Sequence, residues 1–304
     1  MMRDVKLRSQ LQLHLLVFIA GFTGILGELI TISAVNLVWF RMLLAVILMY
    51  AYAKYKKISL IVPGQAIFQF IIAGIIIALH WITFFASIKA SNISIALAMF
   101  STGAFFASLV EPIIFKRRII GYEILLGLAV FGGVYIITDA ALHFITGILL
   151  GIVSAFFSTL FAVLNGRHVL IYNATVLSIY EFLAGIIFIT LWISILDEGF
   201  SFGFFDIGLP NYLYLIILAS VCTAYAFISA VQVMKHLSPF TVVLSYNLEP
   251  IYGISLAVIF FPTTEKMSFS FYVGAFIILC TVLLNAIFKR RYRVKANRFS
   301  DDEL

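Results

Sequence analysis

Apolar residues run in long unbroken stretches along this chain, and polar residues gather in the short gaps between them. The stretch Gly74–Ile88, "GIIIALHWITFFASI", is typical. Runs near 20 residues span about 30 Å of hydrocarbon as helix, whereas barrel strands would alternate apolar and polar side chains over roughly 10 residues. The pattern predicts ten membrane helices: Leu11–Gly27, Asn36–Ala53, Ala66–Ile88, Ile93–Phe115, Gly121–Thr138, Phe144–Asn165, Thr175–Leu196, Asn211–Val233, Phe240–Phe261 and Phe269–Phe288. The expected fold class is therefore an all-α membrane protein. Composition agrees: 63% of residues are hydrophobic and 11% charged, against roughly 45–50% and about 25% in soluble domains.

The charges add direction. With the N-terminus placed in the cytoplasm, basic clusters at Arg3–Arg8, Lys54–Lys57, Lys116–Arg118, Arg167, Lys235 and Lys289–Arg298 all fall on the cytoplasmic side. Only Lys89 and Lys266 fall outside, and Arg41 lies within the second helix. This bias predicts that both termini are cytoplasmic. It also accounts for the net charge of +6 without a nucleic-acid partner, because the basic residues sit at helix ends. Cys222 and Cys280 lie in apolar runs without metal-ligand spacing, so neither a disulfide nor a metal is expected. The basic N-terminus and the apolar run after it resemble a signal peptide, but no small-residue cleavage site precedes a soluble mature domain, and the first helix is read as retained.

The two halves can be laid over one another. "WFRMLLAVI" at Trp39–Ile47 matches "IYEFLAGII" at Ile179–Ile187, Lys89 matches Lys235, and Gly127 matches Gly274, at offsets of 140, 146 and 147 residues. Five helices per half is an odd number, so the second half enters the membrane upside down. The expected organisation is a first five-helix repeat over residues 1–140, an inverted second repeat over 141–288, and a cytoplasmic basic and acidic tail over 289–304. Inverted repeats of this kind point to secondary transporters with a midplane binding site.

The sequence "YNLEPIYGISLAVIFFPTTEKMSFSFYVGAFIILCTVLL" at Tyr246–Leu284 carries a mid-helix Glu-Pro, then Glu265, then Gly274. It resembles the repeat ending of EamA-type members of the drug/metabolite transporter (DMT) superfamily, and the resemblance extends over nearly the whole chain. The first repeat departs from the pattern, with Gly103 opposite Pro250 and Arg118 opposite Glu265. The resemblance implies movement of small organic solutes through a central cavity, with the fifth and tenth helices peripheral. The expected function is a secondary active or facilitative transporter, working as an exporter of metabolites or drugs by alternating access. Protons are the candidate coupling ion, and no cofactor is implied. The expected location is a bacterial inner membrane. The competing class is an intramembrane enzyme on a lipid-soluble substrate, which would need a nucleophile with its base or a metal cluster.

Several residues are candidates for the site. Glu249 falls near the middle of its span, where a charge costs about 2.5–3.5 kcal/mol on insertion scales. Pro250 leaves the carbonyl of Tyr246 without a helical partner. Glu249, Tyr246, Asn247 and the freed carbonyl can face a solute, or Glu249 can be a satisfied carboxylate at a structural kink. Inverted symmetry sets Ser101, Thr102 and Gly103 opposite this element, either to contact solute or to let helices pack closely. His80 can be a relay or donor or hold one structural hydrogen bond, and Trp81 can stack on a planar solute or pack. Arg41 and Glu181 occupy equivalent places in the second and seventh helices. They can pair as a gate between the repeats, or Arg41 can snorkel while Glu181 finds a local amide or hydroxyl. Glu111 precedes Lys116, Arg117 and Arg118, as an interfacial ion pair or a cytoplasmic gate.

Overall fold

A computed structural model describes residues 2–116, 121–168, 171–196, 199–234, 245–246 and 248–301. Among them every regular element is helical, as lipid demands of a chain that must satisfy its own backbone. The helices are α1 (Met2–Leu29), α2 (Ala34–Tyr55), α3 (Gly64–Ala90), α4 (Ile93–Phe100), α5 (Gly103–Phe115), α6 (Gly121–Ala140), α7 (Ile145–His168), α8 (Ala174–Leu196), α9 (Phe202–Phe205), α10 (Leu209–Ala219), α11 (Ala226–Met234), α12 (Glu249–Phe260) and α13 (Phe269–Asp301).

Among the described residues, eight helical stretches are long and apolar enough to cross a membrane, and two shorter apolar helices, Glu249–Phe260 and Phe269–Asn285, accompany them. The stretch Ile93–Phe115, expected as one helix, is interrupted at Ser101–Thr102 between α4 and α5. The stretch Leu209–Ala230 is wound as a π-helical turn over Ser220–Tyr225 between α10 and α11. The last helix runs on beyond the expected end at Phe288 to Asp301.

Local chemistry sets several ends. Ser33 caps α2, its Oγ accepting from the Asn36 amide at 3.2 Å. Asn92 caps α4, its Oδ1 accepting from the Ile95 amide at 2.9 Å. Such caps satisfy amides that have no partner within the helix. Gly208 enters α10 at φ +79°, a backbone region that favours glycine, and Pro210 follows in the first turn.

Packing divides into two main clusters. The larger draws on α1, α2, α3, α8, α10, α11 and α12, with Leu16, Leu37, Met42, Phe85, Phe182 and Leu218 fully buried. A smaller one joins α4, α6, α7 and α13 through Met99, Ile137, Ile148, Phe271 and Ile278. Helices approach most closely where a side chain is missing. A Cβ on Gly74 of α3 would lie 2.1 Å from the Glu181 carbonyl of α8, and one on Gly185 would lie 3.0 Å from the Gly74 carbonyl. Outward faces stay apolar, with Leu125, Leu128, Phe131 and Tyr135 of α6 and Phe276 of α13 exposed, as lipid contact requires. Cys222 and Cys280 are free thiols.

Candidate functional site

The candidate residues fall into two groups that meet at one turn of α3, where His80 and Trp81 turn to different neighbours. The first group surrounds Arg41. This side chain of α2 is 3% exposed, and its Nε donates to Thr223 Oγ1 at 2.8 Å. The Thr223 hydroxyl in turn donates to the Leu218 carbonyl at 2.8 Å, five residues back across the π turn. That geometry leaves the hydroxyl oxygen free to accept from the arginine. The Arg41 guanidinium carbon lies 4.0 Å from the centre of the Trp81 ring and 5.6 Å from that of Phe85, a stacking that attracts a cation to an aromatic face. Phe182 and Phe227 stand edge-on to Trp81 at 5.2 and 6.4 Å.

Glu249 opens α12, with Pro250 in the first turn, where a missing amide hydrogen costs nothing. Its carboxylate lies close enough to attract Arg41 electrostatically, and Tyr246 in turn lies within electrostatic reach of Glu249. The helix is held against α1 by close contact, since a Cβ on Gly21 would lie 2.9 Å from the Gly253 nitrogen. Asn247 lies outside the described residues.

The second group surrounds His80. Its Nδ1 lies 2.9 Å from Ser154 Oγ and 3.1 Å from the Ser154 carbonyl, while Ser154 Oγ donates to the His80 carbonyl at 3.2 Å. The imidazole stacks on Phe100 at 5.4 Å, beside the break in the helix. At that break Ser101 Oγ donates to the Leu97 carbonyl at 3.0 Å and Thr102 Oγ1 to the Met99 carbonyl at 2.6 Å. Thr159 of α7 donates to the Gly103 carbonyl at 3.1 Å. The polar atoms of this group are thus taken up by one another and by nearby backbone, and they tie α3 and α5 to α7.

Arg41 and Glu181 are directed to different partners. Glu181, 1% exposed, lies beside the Asn165 side chain, and its Oε1 has no hydrogen-bond partner among the described residues. Glu111 is half-buried in α5, next to Pro112, and has a partner. Eight residues, about 12 Å of helix, separate it from Gly103. A cleft of about 200 Å³ between α5 and α6 is lined by Phe105, Ser108, Glu123, Gly127 and Phe131, away from both groups.

Thr223, Phe182, Phe227 and Ser154 were not singled out by the sequence. A threonine or phenylalanine in an apolar run carries no local sign of the partner it meets more than 70 residues away. Glu265 had a signal, the motif it belongs to, but no visible role. Its two oxygens accept from the Ile93 and Ser94 amides at 2.8 and 2.9 Å, sealing the start of α4.

The sequence matches the EamA-like transporter family in two stretches, residues 8–139 and 145–287. The chain belongs to that family. This EamA-like protein is thus a multi-pass membrane protein of the drug/metabolite transporter superfamily, a transporter rather than an enzyme family, with a small-molecule substrate and a lipid surround. It is similar to a solved structure described as "Crystal structure of protein", with a TM-score of 0.64 and 14% identity over 94% of this chain and 99% of that one. At that identity the likeness concerns the fold. No curated protein matches this EamA-like chain.

Proposed function

We propose that this EamA-like protein is a secondary active or facilitative transporter that exports small organic metabolites or drugs by alternating access around the Arg41–Trp81–Glu249 group. One observation carries the reading: charged, aromatic and hydroxyl groups from α2, α3, the π turn and α12 converge inside a largely apolar bundle, at a helix start marked by Glu249 and Pro250. Polar groups at membrane depth are costly and mark substrate or ion paths. Interrupted helices belong where backbone lines a cavity or is packed in protein.

The reading includes ten spans in two inverted repeats, residues 1–140 and 141–288, followed by a tail. The two shorter apolar helices added to the eight longer ones support the count. Packing between equivalent helices supports the symmetry: α2 lies on α8, α4 on α12, and α6 on α13. In the last pair, a Cβ on Gly133 would meet the Gly274 carbonyl at 2.9 Å, and one on Gly274 the Gly133 carbonyl at 2.8 Å. The positive-inside bias supports cytoplasmic termini, and a bacterial inner membrane fits the short loops.

Within this reading Glu249, Tyr246, Asn247, Pro250 and Trp81 contact solute, with Glu249 as the candidate proton carrier. Ser101, Thr102, Gly103 and His80 form the opposite wall, where their existing bonds favour positioning over direct contact. Glu181 and Glu111 act at the approaches. Reconstitution into liposomes tests the proposal: preloaded wild-type vesicles exchange members of a panel of amino acids, nucleosides, sugars and cationic drugs, and Glu249→Gln loses that exchange. Vesicles that exchange no solute would overturn it, and a fully active Glu249→Gln would remove Glu249 from the site. Solute-driven acidification, present in wild type and absent in Glu249→Gln, separates proton coupling from facilitated exchange.

A further inference from the structure

We infer that Arg41 is the seat for a carboxylate on the solute, with the Trp81 indole as the floor beneath it. The inference rests on the transporter reading and adds the charge class of what is carried.

A guanidinium offers five N–H donors in a flat fork. In Arg41 the Nε–H goes to Thr223, and one face of the plane is covered by Trp81. Nη1 is buried and has no partner among the described residues. Two carboxylates could have closed the fork. Glu181 lies beside Asn165 instead, and Glu249 attracts Arg41 electrostatically, with no hydrogen bond between the two among the described residues.

Arg41 is thus a buried cation with donors to spare, offset only by the attraction of Glu249, and a group left short of partners in this way can be completed by one that arrives. The Thr223 bond and the Trp81 stack hold the plane in place beforehand, so little freedom remains to be lost on binding. A carboxylate matches the fork geometry, accepting two parallel N–H bonds, which a neutral amide cannot do. Phe182 and Phe227, packed against Trp81, favour an apolar or planar body on the solute.

Benzoate and benzamide have nearly the same shape and differ in charge, so thermal unfolding of the purified full chain in detergent with each one tests the inference. Benzoate is expected to raise the Tm of wild type, and benzamide to need about tenfold more for the same rise, the ratio that one tenfold step in affinity represents. Arg41→Gln should respond alike to both compounds. Arg41→Lys, which keeps the charge and loses the fork, should keep the preference at several-fold weaker affinity. Equal responses of wild type to both compounds, including no response, overturn the inference. So does an Arg41→Gln that still prefers benzoate, or an Arg41→Lys that binds it as tightly as wild type. The two readings separate in liposomes. Exchange of solutes without regard to carboxylate charge keeps the transporter and sinks the seat; Arg41-dependent benzoate binding without any exchange does the reverse.

Discussion

Two buried charges in this protein live under opposite conditions. Glu265, 1% exposed, spends both oxygens on backbone amides of α4, and Asn92 takes a third amide of the same turn. Nearby, Lys89 Nζ donates to the Ile30 carbonyl at 2.7 Å, and Asn211 Oδ1 accepts from the Thr31 amide at 2.8 Å. Arg41, 3% exposed, has among the described residues one hydrogen bond, a ring beneath it and an unused Nη1. A buried charge whose bonds are complete holds structure together, and one with bonds to spare is available for something that comes and goes. The lesson is to read burial and bonding together, since burial alone would rank these two residues alike.

The comparison can be broken most readily at Glu265. Replacing it by alanine leaves two buried amides unpaired, each bond to a charged group being worth about 1.5–3 kcal/mol, so Glu265→Ala should lose about 3–6 kcal/mol in unfolding measurements in detergent. A near-neutral result would show that the clamp on α4 is not structural. Next in size is Gly74→Ala, whose new methyl meets the Glu181 carbonyl and the Ala184 Cβ. Forcing α3 and α8 apart should cost about 1–3 kcal/mol, read from the same unfolding curves. Ser154→Ala removes a partner of His80 and should cost about 1 kcal/mol while leaving solute exchange near wild type; a large loss of exchange would move His80 from the wall into the site. Smallest in stability, and sharpest for the contrast, is Arg41→Gln. Removing a charge that is poorly compensated should change unfolding by less than about 1 kcal/mol, while carboxylate binding falls. Should Arg41→Gln destabilise as much as Glu265→Ala, the distinction between the two charges fails.

Much of the fold was legible because lipid restricts what a chain can do. Runs of apolar residues near 20 long become helices, and eight of the expected spans are found at that length. The breaks were harder to see. Ser101–Thr102 and the π turn at Ser220–Tyr225 sit in runs whose composition continues helical, and what favours them is the fit to neighbours, such as Thr159 on the Gly103 carbonyl. Proline gave a clear local signal at Pro250, where the amide it lacks coincides with the start of α12.

The candidate site was legible in its members and less so in its groupings. Arg41, Trp81, Glu249 and Tyr246 stood out as costly or amphipathic groups in apolar surroundings, and they lie together. The pairing of Arg41 with Glu181, drawn from equivalent positions in the repeats, depended on rotation about the helix axes, and the structure sends one toward Thr223 and the other toward Asn165. By itself, then, the sequence determined the membrane setting, the helical class, the family and the short set of residues too polar for lipid, because each follows from transfer energies or local motif. Tertiary structure decided which of those residues meet and which keep a bond to spare. Side chains far apart in sequence are oriented by helix rotation and by close contacts such as Gly74 on Glu181, and no local preference encodes that.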